Sequence, residues 1–253
     1  MTEVRYRISD GVANVTLDVP PVNALDAAGW NELTAIVREV GAHPDVGVIV
    51  LSGAGRGFCA GVDINELAAD SSRIVDVNRG CFDAFAAVYD APVPVIAAIH
   101  GFAVGGGLAL AGACDLILAA KGTKLGLPEI DRGALGGGSH LNRMFPQQKA
   151  RMLMFTGRNI TVEEAFRFGS IEAIVPSDEL LERAGEIAME IAAKSRRAVQ
   201  LAKESLNGVE VPDLKRSYRF EQGFTFELYT SPDSQEARDA FVEGREADFG
   251  GDR

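Results

Sequence analysis

No stretch of the 253 residues approaches the ~20 consecutive apolar residues that cross a bilayer, so no spanning helix is expected. The opening MTEVRYRISDG lacks the apolar core of a secretory signal. Histidine is scarce: there are three, no two close in sequence, so a His-rich metal site is not expected and no metal is assigned. Cysteine is equally scarce. Cys59, Cys81 and Cys114 sit in apolar surroundings without metal-ligand spacing and read as buried free thiols of a cytoplasmic protein. Positive charge is in deficit, with 25 Lys and Arg against 36 Asp and Glu, for a net charge of −11. That disfavours nucleic acid and anionic membrane as partners, although local lysines and arginines can still serve an anionic small molecule.

What is present is apolar and rich in glycine. Hydrophobic residues make up 47% of the chain, enough for a sizeable core in one large domain or one domain plus an appendage. The organising stretch is Pro94–Asp115, PVIAAIHGFAVGGGLALAGACD. Val95–Ile99 reads as a buried strand, and Leu108–Gly112 as the first turns of a buried helix beyond Gly105-Gly106-Gly107. Glycines at such a passage let the backbone approach a ligand and leave helix-start N–H groups free to hold a developing oxyanion. Tight packing of helix on strand explains a glycine cluster equally well. It is not a nucleotide loop, because no Gly-Lys-Ser/Thr follows and the spacing is not G-x-G-x-x-G.

In chain order, Val4–Ile8 and Val12–Leu17 alternate around Ser9-Asp10-Gly11 and predict a hairpin. Asp26 is placed to cap a helix carrying Leu33, Ile36, Val37 and Val40 and stopping at Gly41. Val46–Leu51 reads as a strand running into a second glycine-rich turn, Ser52–Ile64. A long helix follows with Ile74, Val77, Cys81, Phe85 and Val88 at helical spacing, and Asp115–Ala119 and Ser170–Val175 read as later strands. Gly136–His140 reads as a loop. Helices are expected at Gln147–Phe155, at Val162–Phe168 behind a Thr161…Glu164 capping box, and from about Ser177 to Lys194. From Arg196 on, only helices are read, broken near Pro212 and Pro232. No internal repeat is visible. Alternating strands and helices followed by a helical tail indicate an α/β core, residues 1–195, with a helical region, residues 196–253.

With these pieces in view, the chain resembles the crotonase superfamily, the enoyl-CoA hydratase/isomerase-like proteins. The match runs through PVNAL (21–25), GFCAGVDI (57–64), PVIAAIHGFAVGGG (94–107), CDLILAA (114–120), GLPEI (126–130) and DAFVEGREADF (239–249). The resemblance implies a ββα-spiral core with a C-terminal helical trimerisation region, in a homotrimer or dimer of trimers. It implies an acyl-CoA thioester as substrate, with coenzyme A entering as part of that substrate and no separate cofactor. It further implies that the backbone N–H groups of Val62 and Gly106 bind the thioester oxygen, and that the adenine end of CoA lies near Ala60, Asp63 and Ile64. Asp63 also reads as the cap of the next short helix. Where many members carry a tail lysine that serves CoA, this chain has Gly244.

A typical hydratase of this family uses two glutamates. By position the second is Glu129, but the first is replaced by Ala109. Glu129, flanked by Leu127-Pro128 and Ile130, reads locally either as a structural carboxylate paired with Arg132 or as a catalytic acid/base whose pKa an apolar pocket raises. The family position favours catalysis. His140 is a second catalytic candidate, by hydrogen bonding to substrate or water, against a purely structural role. Asp131 and Arg132 flank the site or face solvent. Trp30 and Tyr89 read as core or interface, and Phe220, Phe224 and Phe226 as interface or pocket wall. Within the family the chain is similar to the single-glutamate actinobacterial ring-opening hydrolases of steroid breakdown. That likeness rests on GRGF-AGVDI (55–64 without Cys59), NRGCF-AF (78–85), GLPE–RGALG (126–136) and SYR-EQGFTFEL (217–228).

The expectation is therefore a single-glutamate acyl-CoA enzyme, a hydrolase of a cyclic β-keto-acyl-CoA or an enoyl-CoA isomerase. The alternatives are a hydratase with a recruited second group, His140 or Asp131, and a non-catalytic acyl-CoA-binding member. RNA binding is disfavoured by the charge. Peptidase chemistry is disfavoured because no serine stands where the central helix starts.

Overall fold

The computed structural model describes residues 4–210 and 213–249. β1 (Val4–Ser9) and β2 (Val12–Leu17) form the hairpin, antiparallel with Ser9 opposite Val12. β3 (Ala24–Leu25) leads to α1 (Ala27–Ala42), whose first turn is closed by the Asp26 carboxylate accepting from Gly29 N–H at 2.7 Å. β4 (Val48–Gly53) begins two residues later than the apolar run suggests. The reason is that Val46 and Gly47 spend their N–H groups on His43 O and Gly11 O. β5 (Gly61–Val62), α2 (Ile64–Ala69) and α3 (Ile74–Tyr89) follow, and then β6 (Val95–Ile99), β7 (Phe102–Val104) and α4 (Gly106–Ala113).

β8 (Leu116–Ala120), β9 (Lys124–Gly126), α5 (Gly138–Met144), α6 (Gln147–Thr156), β10 (Ile160–Thr161) and α7 (Val162–Arg167) continue the chain. Half of the expected capping box forms at α7. Thr161 Oγ accepts from Glu164 N–H at 3.2 Å, but the Glu164 carboxylate turns to Lys149 instead of back to Thr161. β11 (Ala173–Val175) and α8 (Leu180–Ala192) come next, both shorter than expected, and the tail holds α9 (Arg196–Val209), α10 (Leu214–Tyr229) and α11 (Pro232–Glu243). Pro212 lies outside the described residues. Pro232 opens α11 at its first position, where a missing N–H costs nothing.

Six strands make the main sheet in the order β1-β2-β4-β6-β8-β11, parallel from β2 onward. Both faces are covered, which is why the central strands read as unbroken apolar runs. Ile49, Leu51, Val95, Ala97, Ile99, Ile117 and Ala119 enter the larger core beneath α1, α3 and α4. Val48, Val50, Ile96, Ala98, Leu118 and Ala120 enter a second core with Leu180, Ala184 and Ala188 of α8.

The remaining strands form a second set, β3-β5 and β10-β9-β7. A long strand in the main sheet, a short one in the second set and then helix therefore recur, as β2-β3-α1, β4-β5-α2-α3 and β6-β7-α4. This is the ββα spiral, repeated in geometry although no repeat is visible in sequence. Among the described residues no helix is long and apolar enough to cross a membrane.

Candidate active site

Two glycine turns meet at the centre of the spiral. In the first, Gly61 sits at φ +87° and Asp63 N–H bonds Leu25 O at 2.9 Å. In the parallel β3–β5 ladder this turns the Val62 N–H away from β3. In the second, Gly105 at φ +59° precedes α4, so Gly106 is the first helical residue and its N–H has no partner within the helix. The two turns touch: a Cβ on Gly61 would lie 2.7 Å from Gly106 N, and one on Gly107 would lie 2.2 Å from Cys59 O. The glycines thus meet the packing role open in the sequence, and the geometry is compatible with the other. They permit backbone contact, and they leave two N–H groups at one place.

Glu129 reaches the same place from a short 3₁₀ turn, Pro128–Arg132. A Cβ on Gly105 would meet its Oε1 at 2.7 Å, while its Oε2 is shut from solvent without a hydrogen-bond partner. Burial raises its pKa to about 7, against the lowering effect of its own backbone hydrogen bond and the Arg132 charge. Glu221 adds a small upward push. The structural alternative, pairing with Arg132, is not what the geometry shows. The Arg132 guanidinium lies over the Phe241 ring, 4.7 Å from its centroid, and no ion pair joins it to Glu129.

These groups line one cavity of about 640 Å³, within the range of small-molecule sites. Ala60, Val62 and Ile64 line it, as do Gly105, Gly106 and Ala109. Ala109 is buried, and its methyl would lie 3.7 Å from a Cβ on Gly137. Asp63 does not line the cavity. Its carboxylate caps α2, accepting from Asn65 N–H at 3.0 Å and Asn65 Nδ2 at 2.9 Å.

His140 is a correction. It stands on α5, not in a loop, and it does not line the cavity. The α5 helix forms because Glu221 of α10 accepts from Gly138 N–H at 2.5 Å, Ser139 N–H at 3.1 Å and Ser139 Oγ at 2.8 Å, a cap that no local sequence reveals. His140 is buried behind Phe85 and Tyr218, with ring centroids at 4.9 and 5.0 Å, and neither ring nitrogen has a partner. Burial, with a smaller effect from Arg143, lowers its pKa to about 3, so the ring is neutral at working pH. Asp131 is exposed and likewise away from the cavity wall.

Several wall residues escape a sequence reading. Tyr218, Thr225 and Tyr229 of α10 line the cavity, whereas Phe220, Phe224 and Phe226 do not. Asn78 of α3 lines it too. The Tyr229 hydroxyl and Asn78 Nδ2 are buried without partners. The only signal for Asn78, Tyr218 and Thr225 is that they fall in the two stretches, 78–85 and 217–228, that carry the narrower family likeness. Trp30 is fully buried and sits against Gly106, and Tyr89 is buried with its hydroxyl on Glu210 at 2.8 Å.

Two glycine turns that meet beside one carboxylate titrating near neutrality, in a largely apolar cavity, suit proton transfer next to a thioester. The enoyl-CoA hydratase/isomerase family model matches residues 7–252, and the chain belongs to that family of acyl-CoA enzymes, the crotonases. More particularly, it is 50% identical over 236 residues, covering 92% of each chain, to "(7aS)-7a-methyl-1,5-dioxo-2,3,5,6,7,7a-hexahydro-1H-indene-carboxyl-CoA hydrolase" of Rhodococcus jostii (strain RHA1). It is 47% identical to the hydrolase of the same name from Mycobacterium tuberculosis (strain ATCC 25618 / H37Rv), over 92% of this chain and 95% of the relative. Among solved structures it superposes on an enoyl-CoA hydratase from Mycobacterium avium subsp. paratuberculosis K-10 with a TM-score of 0.87, at 25% identity over 98% of both chains.

Proposed function

We propose that the protein hydrolyses a carbon–carbon bond of a cyclic β-keto-acyl-CoA, opening the ring. The observation that carries this reading is the combination of Glu129 against the Gly105-Gly106 turn with Ala109 in the cavity lining. Syn-hydration of a double bond needs one group to activate water and another to protonate carbon. With alanine at 109 the second carboxylate is missing, and its space is open to a bulky acyl group. The names of the two hydrolase relatives point the same way.

In this reading the thioester oxygen lies between the N–H groups of Val62 and Gly106, which hold the charge of an enolate as it develops; one such donor is worth about 2.7–4 kcal/mol in the transition state. Glu129 takes a proton from water and later returns it to carbon. Ala60 and Ile64 border the path to CoA, and Asp63 acts on that segment by capping α2. Coenzyme A arrives as part of the substrate, and the steps require no other cofactor. A cytoplasmic location fits three buried free thiols and a CoA substrate. The assembly is proposed as a homotrimer or dimer of trimers.

The test is steady-state kinetics on a bicyclic keto-acyl-CoA and on crotonyl-CoA. The native enzyme is expected to open the ring and to hydrate crotonyl-CoA poorly. Glu129→Gln should lower ring opening about 10²–10⁴-fold, the usual worth of a positioned acid/base. Ala109→Glu should raise hydration and impair the bulky substrate. Efficient hydration of crotonyl-CoA by the native enzyme, or double-bond migration without ring opening, would overturn the reading in favour of a hydratase or an isomerase.

A further inference from the structure

Asn78 lies in the second turn of α3, lines the cavity and is only 6% exposed. Its amide orientation is set from outside. Arg219 can only donate, and its Nη1 donates to Gln222 Oε1 at 2.9 Å. Gln222, 1% exposed, must therefore turn its Nε2 toward Asn78, and it donates to the Asn78 backbone oxygen at 2.8 Å and to Asn78 Oδ1. The atom of Asn78 left over is Nδ2, and it is buried without an acceptor. A buried unsatisfied donor is expensive, about 1–3 kcal/mol, and is rare unless a ligand completes it. Three residues on two helices thus fix this group as a donor. One turn further along α3, Cys81 lies close enough to Glu129 to feel its charge, which places Asn78 at the same cavity as the acid/base.

We propose that Asn78 Nδ2 is the donor to the ring-ketone oxygen of the acyl group, and so selects keto-acyl substrates and stabilises the alkoxide through which the ring opens. The chemistry rests on the ring-opening reading above. Water adds to the ketone carbon, a C–O bond forms, one water proton passes to Glu129, and the ketone oxygen becomes an alkoxide held by Nδ2–H. On collapse the C–C bond breaks and its electron pair passes into the thioester-conjugated system, whose oxygen rests on Val62 and Gly106. Glu129 returns its proton to carbon, and the remaining water hydrogen leaves with the new carboxylic acid. The thioester donors cannot serve the alkoxide, because it develops on a different oxygen. A second, separate donor is what hydrolysis of a ketone needs and simple enolate chemistry does not.

Two variants test this. Asn78→Asp keeps the outline and the acceptor for Gln222 but removes the donor; Asn78→Leu removes it without adding charge. The first readout is calorimetric binding of a non-hydrolysable cyclic keto-acyl-CoA thioether and of its deoxo analogue. The native protein should prefer the ketone at least 10-fold, and both variants should lose that preference. The second readout is kcat, expected to fall 10²–10³-fold for ring opening. Solvent-deuterium exchange at the α-carbon of a ketone-free acyl-CoA should stay within about 3-fold of native. Equal losses in ring opening and exchange would mean a structural role, and an unchanged ketone preference would overturn the proposal. If the native enzyme opens no ring but the ketone preference is lost in the variants, the ring-opening reading fails and the role of Asn78 as ketone donor stands.

Discussion

The Glu129 carboxylate and the His140 ring are both shut away from solvent, yet their titrations act on stability in opposite directions. Glu129 holds its proton to about pH 7 in the folded chain, whereas an unfolded glutamate loses it near 4.5. Between these values the folded state binds more protons, so this residue makes stability fall as pH rises, by up to about 3 kcal/mol in all. His140 is neutral down to about pH 3 when folded but charges near 6.5 when unfolded. Across that window the unfolded state binds more protons, so His140 makes stability fall as pH drops. Thermal melts from pH 4 to 8 separate the two. Glu129→Gln should melt higher than native at pH 8, with the advantage vanishing toward pH 4. His140→Phe should flatten the acid side. With Glu129 as the proposed base, kcat/KM for ring opening should drop below about pH 7, where its carboxylate is protonated. A profile flat from pH 5 to 8 would mean that another group does the proton transfer.

At the level of elements, the site depends on how closely β5 approaches the start of α4. Gly61 is the tightest point. It combines φ +87° with a Cβ position 2.7 Å from Gly106 N and 3.1 Å from Val104 O. In Gly61→Ala the new methyl meets the Gly106 N–H proposed to hold the thioester oxygen, and a non-glycine residue in that conformation costs a further ~1–2 kcal/mol. The expected result is a fall of at least 10²-fold in kcat, with a lowered but cooperative melt. Gly122→Ala makes the matched control. It has a similar φ of +81° but no atom within 4 Å of its Cβ, so it should lose only the ~1–2 kcal/mol of the conformation and keep its activity. Similar activity in the two variants would show that strain, and not the blocked N–H, is at work. The α10 helix is the second element on which the site depends. It caps α5 through Glu221 and sets the Asn78 amide through Gln222, while Tyr218 and Thr225 form cavity wall.

At the scale of the molecule, one chain leaves large apolar side chains in water. Phe220 is 73% exposed and Phe224 47%, with their rings edge to face on the outer side of α10. This is the face turned away from the cavity wall, and burying it between chains would give the tail the oligomerising role expected of it. Light scattering at micromolar concentration should report three or six chains. The double variant Phe220→Lys, Phe224→Lys should shift that mass toward one chain. An unchanged mass would put the interface elsewhere.

The sequence by itself determined the central strands, the amphipathic helices α1 and α3, and the family. Each rests on local information: apolar runs bounded by glycine and proline, helical spacing, and motifs a few residues long. The glycines at 61 and 105–107 were legible as places of close approach for the same reason. The sequence did not disclose the spiral, since strands of two or three residues such as β3 and β5 carry no period and are held by partners elsewhere in the chain. Nor did it disclose that Gly136–His140 begins a helix, because the capping carboxylate comes from residue 221. Only the tertiary structure placed Glu129 beside Gly105, put His140 behind two aromatic rings and left one amide donor of the cavity-lining Asn78 without an acceptor. Each of these depends on groups far apart in sequence that packing brings within hydrogen-bond or van der Waals reach, and residue type and local spacing carry no record of such pairs.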